Sequence, residues 1–326
     1  MSRLNPAKQF IKWAGGKRQL LHEIDKQLPA ALKNGEIRRY WEPFFGGGAV
    51  FFHIKEKYGL SIEEYHISDY NWDLFVMYRV IQSKLSELIE ELRKLADEYL
   101  PLPPTQKGDK DGARIRMYKR IRAEYNDDNW DDDRFLSDGQ SFRKRLSPRS
   151  ARRAAMTIFL NRTCFNGLYR VNSLGKFNVP NGRYVSPEIV DVENLTAVSK
   201  ALMGVRISVG SYVDNLATVD NQSFVYFDPP YRPLPGTPSF TDYHKAAFGD
   251  NEQMELASMF TELHERGAKV MLSNSDPKNT DADDNFFDEL YSQHHINRVL
   301  ARRAINSDGE GRGEITEILV TNYGVE

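Results

Sequence analysis

One cysteine, Cys164, stands in a chain of 326 residues. An intramolecular disulfide framework and a cysteine-rich zinc site are therefore excluded, and Cys164 reads as a small buried or half-buried thiol. Long apolar runs are also missing: none approaches the roughly 18 residues of a membrane span. Met1 to Phe10 is polar and lacks the apolar core of a secretory signal. A soluble, cytoplasmic protein with no membrane attachment is expected. Charge of one sign is absent too, with 44 Lys and Arg against 46 Asp and Glu, a formal net charge of −2. No global positive field marks a nucleic-acid binder, so any such binding must rest on local clusters. The histidines show no ligand spacing. His294 and His295 fall in an expected strand, where neighbours point to opposite faces, and read as structural. No metal is expected, and no internal repeat is visible.

Aromatics are plentiful, with 18 Phe and 16 Tyr, which suits a folded domain and excludes extended disorder. Short apolar runs ending at turns predict strands at Tyr40–Phe45, Glu64–Asp69, Val205–Tyr212, Ser223–Phe227 and Lys269–Ser273. A last pair, Ile296–Leu300 and Ile315–Tyr323, flanks the Gly-rich stretch Ser307–Gly313. Amphipathic helical patterns lie between most of them, as at Leu74–Leu95 and Glu252–Arg266. Alternation of strand and helix predicts an α/β fold, a mostly parallel sheet covered on both faces.

The alternation breaks between about Met77 and Val185. Here lie long charged helices, a break at Pro101–Pro104, an acidic run Asp127–Asp133 and a basic run Phe142–Arg153. The stretch reads as a largely helical module inserted into the α/β domain. Arg143, Lys144, Arg145, Arg149, Arg152 and Arg153 could neutralise phosphates, or form a solvated face balanced by the nearby aspartates.

Four segments carry chemistry. The expected strand Ser223–Phe227 runs into Asp228-Pro229-Pro230-Tyr231. Prolines end a strand and hold the following carbonyls rigidly, and ligands of open α/β sheets sit at the carboxyl ends of strands. Taken alone, the tetrapeptide reads equally as an ordinary strand-ending turn. Glu42-Pro43-Phe44-Phe45-Gly46-Gly47-Gly48 leads from a strand through a glycine turn into a helix; it lacks the spacing of a dinucleotide fingerprint or a P-loop. Asp69 and Tyr70 end the second strand, where an acid can hold ribose hydroxyls or cap the helix opening at Asn71. Upstream, Lys12-Trp13-Ala14-Gly15-Gly16-Lys17 precedes the expected helix Arg18–Leu28. A helix start with a stacking ring suits a carboxylate and an aromatic ligand.

In their order along the chain, from Lys12-Trp13 through Glu42-Pro43-Phe44 and the insert to Asp228-Pro229-Pro230-Tyr231, the segments resemble the Dam-type DNA adenine N6-methyltransferases (D12 class, group alpha). The resemblance covers nearly the whole chain. It takes in Asn166-Gly-Leu-Tyr-Arg170 and Phe177-Asn-Val-Pro-Asn-Gly-Arg-Tyr184, then Phe240-Thr-Asp-Tyr-His244, Arg303-Ala-Ile-Asn-Ser307 and Glu317-Ile-Leu. Phe45 and Gly47 occupy variable positions of the glycine turn, and Phe165 stands where a tyrosine is common. The resemblance implies a Rossmann-like methyltransferase sheet, mostly parallel with a terminal antiparallel strand. It also implies a helical target-recognition insert bearing a β-hairpin. Residues 1–76 and 186–326 would form the catalytic domain and 77–185 the insert.

The implied cofactor is S-adenosyl-L-methionine (SAM) and the implied partner is double-stranded DNA; oligomeric state is left open, a monomer included. Trp13, Lys17, Asp69 and Asp228 match SAM-binding positions, and Phe44 the position beside its adenine. Gly46, Gly48 and Tyr70 complete the expected cofactor set. Asp228 and Tyr231 match catalytic positions, with Pro229 and Pro230 between them. Lys12, Leu168, Arg170 and Pro180 match base contacts, Phe165 a wedge in the duplex and Arg183 a phosphate contact. Asn166 belongs to the same hairpin, and Asn166-Gly167 is itself a two-residue hairpin signal; a second turn is expected at Ser173–Gly175, with Lys176–Val179 returning. Retention of Lys12, Leu168 and Arg170 points to GATC as target.

An adenine amine is a poor nucleophile, because its lone pair is delocalised into the ring. Acceptance of its two N–H groups by the Asp228 carboxylate and the Pro229 carbonyl would localise that pair. The step asks no raised pKa of Asp228. A cytosine-N4 methyltransferase would carry Ser-Pro-Pro here and a protein-glutamine methyltransferase Asn-Pro-Pro-Tyr, so position 228 favours adenine. The remaining alternative is a DNA-binding module without catalysis.

Overall fold

The computed structural model describes residues 5–127, 146–147, 149–232, 248–302 and 314–324. Asp128–Asp133, Arg143–Arg145, Phe240–His244, Arg303–Ser307 and the rest of the glycine-rich stretch lie outside the described residues. The chain divides into two compact units, one of Met1–Ala14 with Asn71–Met203 and one of Gly15–Tyr70 with Gly204–Glu326.

The second unit is built on a sheet. Its strands are β1 (Arg39–Glu42), β2 (Glu64–Asp69), β3 (Arg206–Val209), β4 (Ser223–Phe227), β5 (Lys269–Ser275), β6 (His295–Arg302) and β7 (Glu314–Thr321). They form one 7-stranded sheet in the order β3-β2-β1-β4-β5-β7-β6. The pairs among β1 to β5 are parallel, and β7 runs antiparallel to both β5 and β6. The expected mostly parallel sheet with an antiparallel C-terminal strand is found. That strand does not close an edge: it is inserted between β5 and β6.

Both faces of the sheet are covered. Before β1 come α1 (Leu21–Gln27) and α2 (Ala30–Lys33), and after it α3 (Ala49–Tyr58). Side chains alternate along a strand, so Tyr40 and Phe224 face one side, with Phe51 of α3 and Tyr65. Trp41, Val225 and Phe227 face the other, in a core completed by Leu256, Phe260 and Leu263.

Helices build the first unit: α4 (Trp72–Ser83), α5 (Leu85–Tyr99), α6 (Ala113–Tyr125), α7 (Ser150–Thr163) and α8 (Val192–Ala201). The core residues Leu256, Phe260 and Leu263 of the sheet unit belong to α9 (Asp250–Glu265), which α10 (Phe286–Leu290) follows. The single expected helix Leu74–Leu95 is two, broken at Lys84 (φ −139°, ψ 38°). The burial pattern shows why. In α4 almost every residue from Asp73 to Ile81 is buried, whereas α5 buries one stripe, Leu88, Leu92, Leu95, Ala96 and Tyr99. One straight helix cannot present both patterns.

The helical unit is larger than the expected insert 77–185. Its α4 and α8 pack together and against the same bundle, and Phe10 meets Tyr78 edge-on at 5.8 Å between ring centres. The hairpin agrees with expectation in part. Asn166 (φ 57°) and Gly167 (φ 67°) do adopt left-handed backbone, but as a tight turn after α7, with Gly167 N–H bonded to Cys164 O (3.2 Å). The chain reverses at the second expected turn, residues 172–175, where the Gly175 and Lys176 amides bond back to Asn172. Only isolated bridges follow, Val171 to Phe177 and Cys164 to Asn181.

Candidate active site

Strand order reverses between β1 and β4, and in an open α/β sheet the crevice at that reversal is where ligands bind. Asp228 follows β4 directly. Phe227 pairs with Leu272, which brings Asp228 level with Ser273 of β5. The Ser273 hydroxyl donates to Asp228 Oδ1 (3.0 Å) and accepts from the Tyr226 hydroxyl (2.8 Å). Lys17, on a 3-10 turn before α1, reaches the same oxygen with its Nζ at 2.7 Å. The lysine also donates to Tyr231 Oη and Gly15 O, each at 2.9 Å. Glu317 of β7 stands 3.7 Å away. Its register opposite Ser275 places it at the carboxyl end of β5.

Burial decides the electrostatics. The Lys17 side chain is 2% exposed and that of Asp228 19%. Burial pulls the ammonium down, but Asp228, Tyr231 and Glu317 pull harder, and its pKa ends well above the ordinary value. Lys17 is thus a fixed cation. The Asp228 carboxyl is pushed up by burial, and Lys17 and Ser273 offset this only in part. Glu317 is raised for the same first reason. Expectation asked no raised pKa of Asp228; the fold supplies one through enclosure. Glu42, 2% exposed, is held far above the carboxylate range by burial and accepts from the Tyr40 hydroxyl at 2.7 Å.

The proline pair is clamped from α9. Gln253, fully buried, donates to Pro230 O at 3.2 Å and accepts from Asn274. Among the described residues no donor reaches the Pro229 carbonyl. Asp228 and that carbonyl are therefore two acceptors one residue apart.

At the tips of β1 and β2 the Gly46 N–H donates to Asp69 Oδ2 (2.8 Å). The cap of α4 is Asn71, whose side chain accepts from Asp73 N and Leu74 N. The helix-cap alternative for Asp69 is therefore overturned. Gly48 (φ 70°) has no room for a β-carbon, which would lie 2.6 Å from the Phe45 ring. Phe44 stacks among Tyr212, Phe227 and Phe248, with centre distances of 5.3, 6.2 and 5.7 Å. Tyr70 is exposed.

Sequence reasoning missed Ser273, Gln253, Glu317, Tyr212 and Phe248. A signal existed for Tyr212 and Ser273, which end expected strands as Asp228 does. Gln253 and Glu317 carry no local signature.

Trp13 belongs to the helical unit, where its ring lies on Tyr169 (4.8 Å, 31°). The expected DNA-facing residues gather in that unit. Lys12, Phe165, Asn166, Pro180 and Arg183 are exposed, and Leu168 and Arg170 half-buried. Phe165 N–H donates to Pro180 O (2.9 Å), and Arg170 Nε to Asn178 Oδ1 (2.8 Å). Pro180 and Arg183 edge an open cleft of about 400 Å³ that also holds Lys110, Lys119 and Arg122. Two arginines of the basic run have other work. Arg153 is buried against Asp73 (2.8 Å), and Arg152 is bonded to Glu124 (2.8 and 2.9 Å). They are ties of the helical bundle, and the phosphate reading of the run loses them. Among the described residues no group of His, Cys, Asp and Glu could hold a metal ion, and no helix is long and apolar enough to cross a membrane.

A family model described as D12 class N6 adenine-specific DNA methyltransferase matches residues 13–305. The chain is 44% identical over 317 residues to the type II methyltransferase M.MjaIII of Methanocaldococcus jannaschii, spanning 97% of this chain and 99% of that one. Identity to the type II methyltransferase M1.LlaDCHI of Lactococcus lactis is 35%, over 97% of this chain and 95% of the relative. To the DNA adenine methylase of Escherichia coli K12 it is 33%, over 95% and 93%.

Proposed function

The chain belongs to the D12 class of N6 adenine-specific DNA methyltransferases, and we propose that it moves the methyl group of SAM onto N6 of an adenine flipped out of duplex DNA, in the sequence GATC. The observation that carries this reading is the placement of Asp228: at the sheet's reversal point, half-buried, with Lys17 and Ser273 holding one carboxylate oxygen.

The residues suit SAM by their chemistry. SAM is cationic at sulfur and has no phosphate, and Asp69, Asp228 and Glu317 make the strand tips acidic around Lys17. Asp69 is placed for ribose hydroxyls. Phe44, Tyr212 and Phe248 offer an apolar aromatic wall to an adenine. Gly46, whose amide already serves Asp69, is no phosphate cradle. Trp13 takes its cofactor role from the family resemblance.

When bound, SAM supplies an electrophilic methyl group. Asp228 and the Pro229 carbonyl accept the two amine hydrogens and turn the nitrogen lone pair toward it. Their effect is positioning and electrostatic, since the acceptors are fixed before the reaction. Tyr231, whose ring centre lies 4.7 Å from Lys17 Nζ, would stack on the adenine. Transfer of the methyl group from the sulfonium to N6 would leave the amine acidic. Loss of its proton requires no strong base, and the Asp228 carboxylate that accepted the N–H would stand within reach of it. The base must leave the stack first, at a few kcal/mol.

GATC rests on Lys12, Leu168 and Arg170 together, with Arg170 suited to a bidentate guanine contact. The relatives' names place type II methyltransferases and DNA adenine methylases side by side, and both roles are consistent with this target chemistry.

The test is Asp228→Asn, assayed with tritiated-methyl SAM on duplex DNA. Incorporation should fall at least about 10²-fold, with the thermal transition unchanged. Turnover near that of the parent would overturn the reading.

A further inference from the structure

We propose that Asn161 is a positioning residue for sequence choice: it fixes the spacing between Lys12 and the Asn166–Gly167 turn. The proposal rests on the reading of Lys12 and the turn's neighbours as base contacts. Asn161 itself touches no base.

Asn161 lies in the last turn of α7 and is 4% exposed. Its amide oxygen accepts from Lys12 N–H (2.9 Å). Its nitrogen donates to Lys12 O (2.8 Å) and to Gly167 O (2.9 Å). Both amide donors are thus used. Toward Lys12 the side chain mimics a strand partner, taking the N–H and the C=O of one residue. Lys12 lies 149 positions away along the chain, so no local preference can set this height.

The other side of the arrangement is steric. A β-carbon on Gly167 would lie 2.4 Å from Lys12 Cδ. The lysine stem therefore crosses directly over the turn, and its ammonium ends 5.5 Å from the Tyr184 ring centre. The turn is pinned from below as well, by Phe165 N–H to Pro180 O and by Cys164 Sγ to Leu168 O (3.2 Å). Lys12, Phe165, Leu168 and Pro180 thereby share one anchored frame, and the Asn161 side chain bonds both of its halves. A base edge is read by atoms placed to a few tenths of an ångström. Release of Lys12 from the turn should blur that reading before it affects methyl transfer itself.

The experiment compares methyl transfer on a duplex bearing GATC with duplexes in which one base of the site is replaced. Asn161→Ala should lower the preference for the intact site at least about tenfold, at the same replaced bases that Lys12→Ala relaxes. SAM affinity, measured by calorimetry, should stay unchanged. A merely structural role would lower all duplexes together and leave the ratio in place, which overturns the proposal. If Asn161→Ala does not fold, Gly167→Ala decides, since it displaces Lys12 with Asn161 intact: lost preference supports the proposal and unchanged preference overturns it. If Lys12→Ala and Arg170→Ala themselves leave site choice untouched, the base-contact reading fails first, and this proposal with it.

Discussion

Lys17 is the residue on which the site's electrostatics turn. It holds Asp228 at 2.7 Å and Glu317 at 3.7 Å, one buried cation between two raised carboxylates. Lys17 lowers the Asp228 pKa against burial, so Lys17→Met should raise it further. Asp228 must be ionised to accept the amine. The acid limb of the single-turnover pH profile should therefore move to higher pH in Lys17→Met, with the greatest loss of rate at the acidic end. A limb that stays in place at saturating SAM would contradict the pairing. At this scale the sequence shows what is local. Asp228 and Tyr231 are visible through the proline pair between them, and Lys17 through its glycines. Ser273, Gln253 and Glu317 are not, because single polar residues within strands and helices acquire meaning only from register. Arg152 and Arg153 mislead for the same reason: their acids, Glu124 and Asp73, lie 28 and 80 positions away.

The elements are tied by a few buried polar contacts. Asp25 of α1 receives His53 (2.7 Å), Lys57 (2.6 Å) and Tyr58 (2.9 Å) from α3. Burial raises its carboxyl, but these three bonds win and the pKa falls from 3.8 to about 2. A depressed carboxyl stabilises the fold above its unfolded pKa, and that stability is lost as pH falls from about 4 through about 2. Asp25→Asn should cost about 1–2 kcal/mol at pH 7, after screening at the half-exposed Lys57. Calorimetry should show the gap to the parent narrowing below about pH 4; a gap independent of pH would refute the linkage. In the helical unit Arg153→Met should cost about 3–5 kcal/mol in urea unfolding, because Asp73 stays buried beside it (side chain 8% exposed). A loss below 1 kcal/mol would mean that solvent reaches the pair. The strands were legible because each is a short apolar run ending at a turn, and β2 and β4 match their expected limits. The break at Lys84 was hidden, since apolar spacing runs on through it. The turn at Ser173–Gly175 was legible from its glycine, whereas Asn166-Gly167 signals a tight turn that here ends a helix rather than joining two strands.

Across the whole molecule a near-neutral chain carries its chemistry on local features. The sheet unit supplies the acidic strand tips, and the helical unit, interrupting the chain between β2 and β3, supplies the exposed lysine, arginine and aromatic residues. Alternating strands and helices were enough to see the sheet. The limits of the helical unit, 71–203 with residues 1–14, were not visible, because α4, α8 and residues 5–12 join the bundle through packing and through hydrogen bonds between positions far apart in the sequence, as from Lys8 to Asn194 and from Lys12 to Asn161. At this scale the expected outcome for Arg170→Ala is relaxed site choice with SAM affinity retained, read by calorimetry and by sequencing of methylated DNA; unchanged choice would remove its guanine contact. The central claim is that Asp228 orients an adenine amine for methylation. Its most direct measurement is mapping of methylated bases in DNA from cells that lack adenine methylation of their own and express either the parent chain or Asp228→Ala. N6-methyladenine confined to GATC with the parent, and its absence with the variant, is the expected result. Methyl groups on cytosine N4, or undiminished N6-methyladenine with Asp228→Ala, would contradict it.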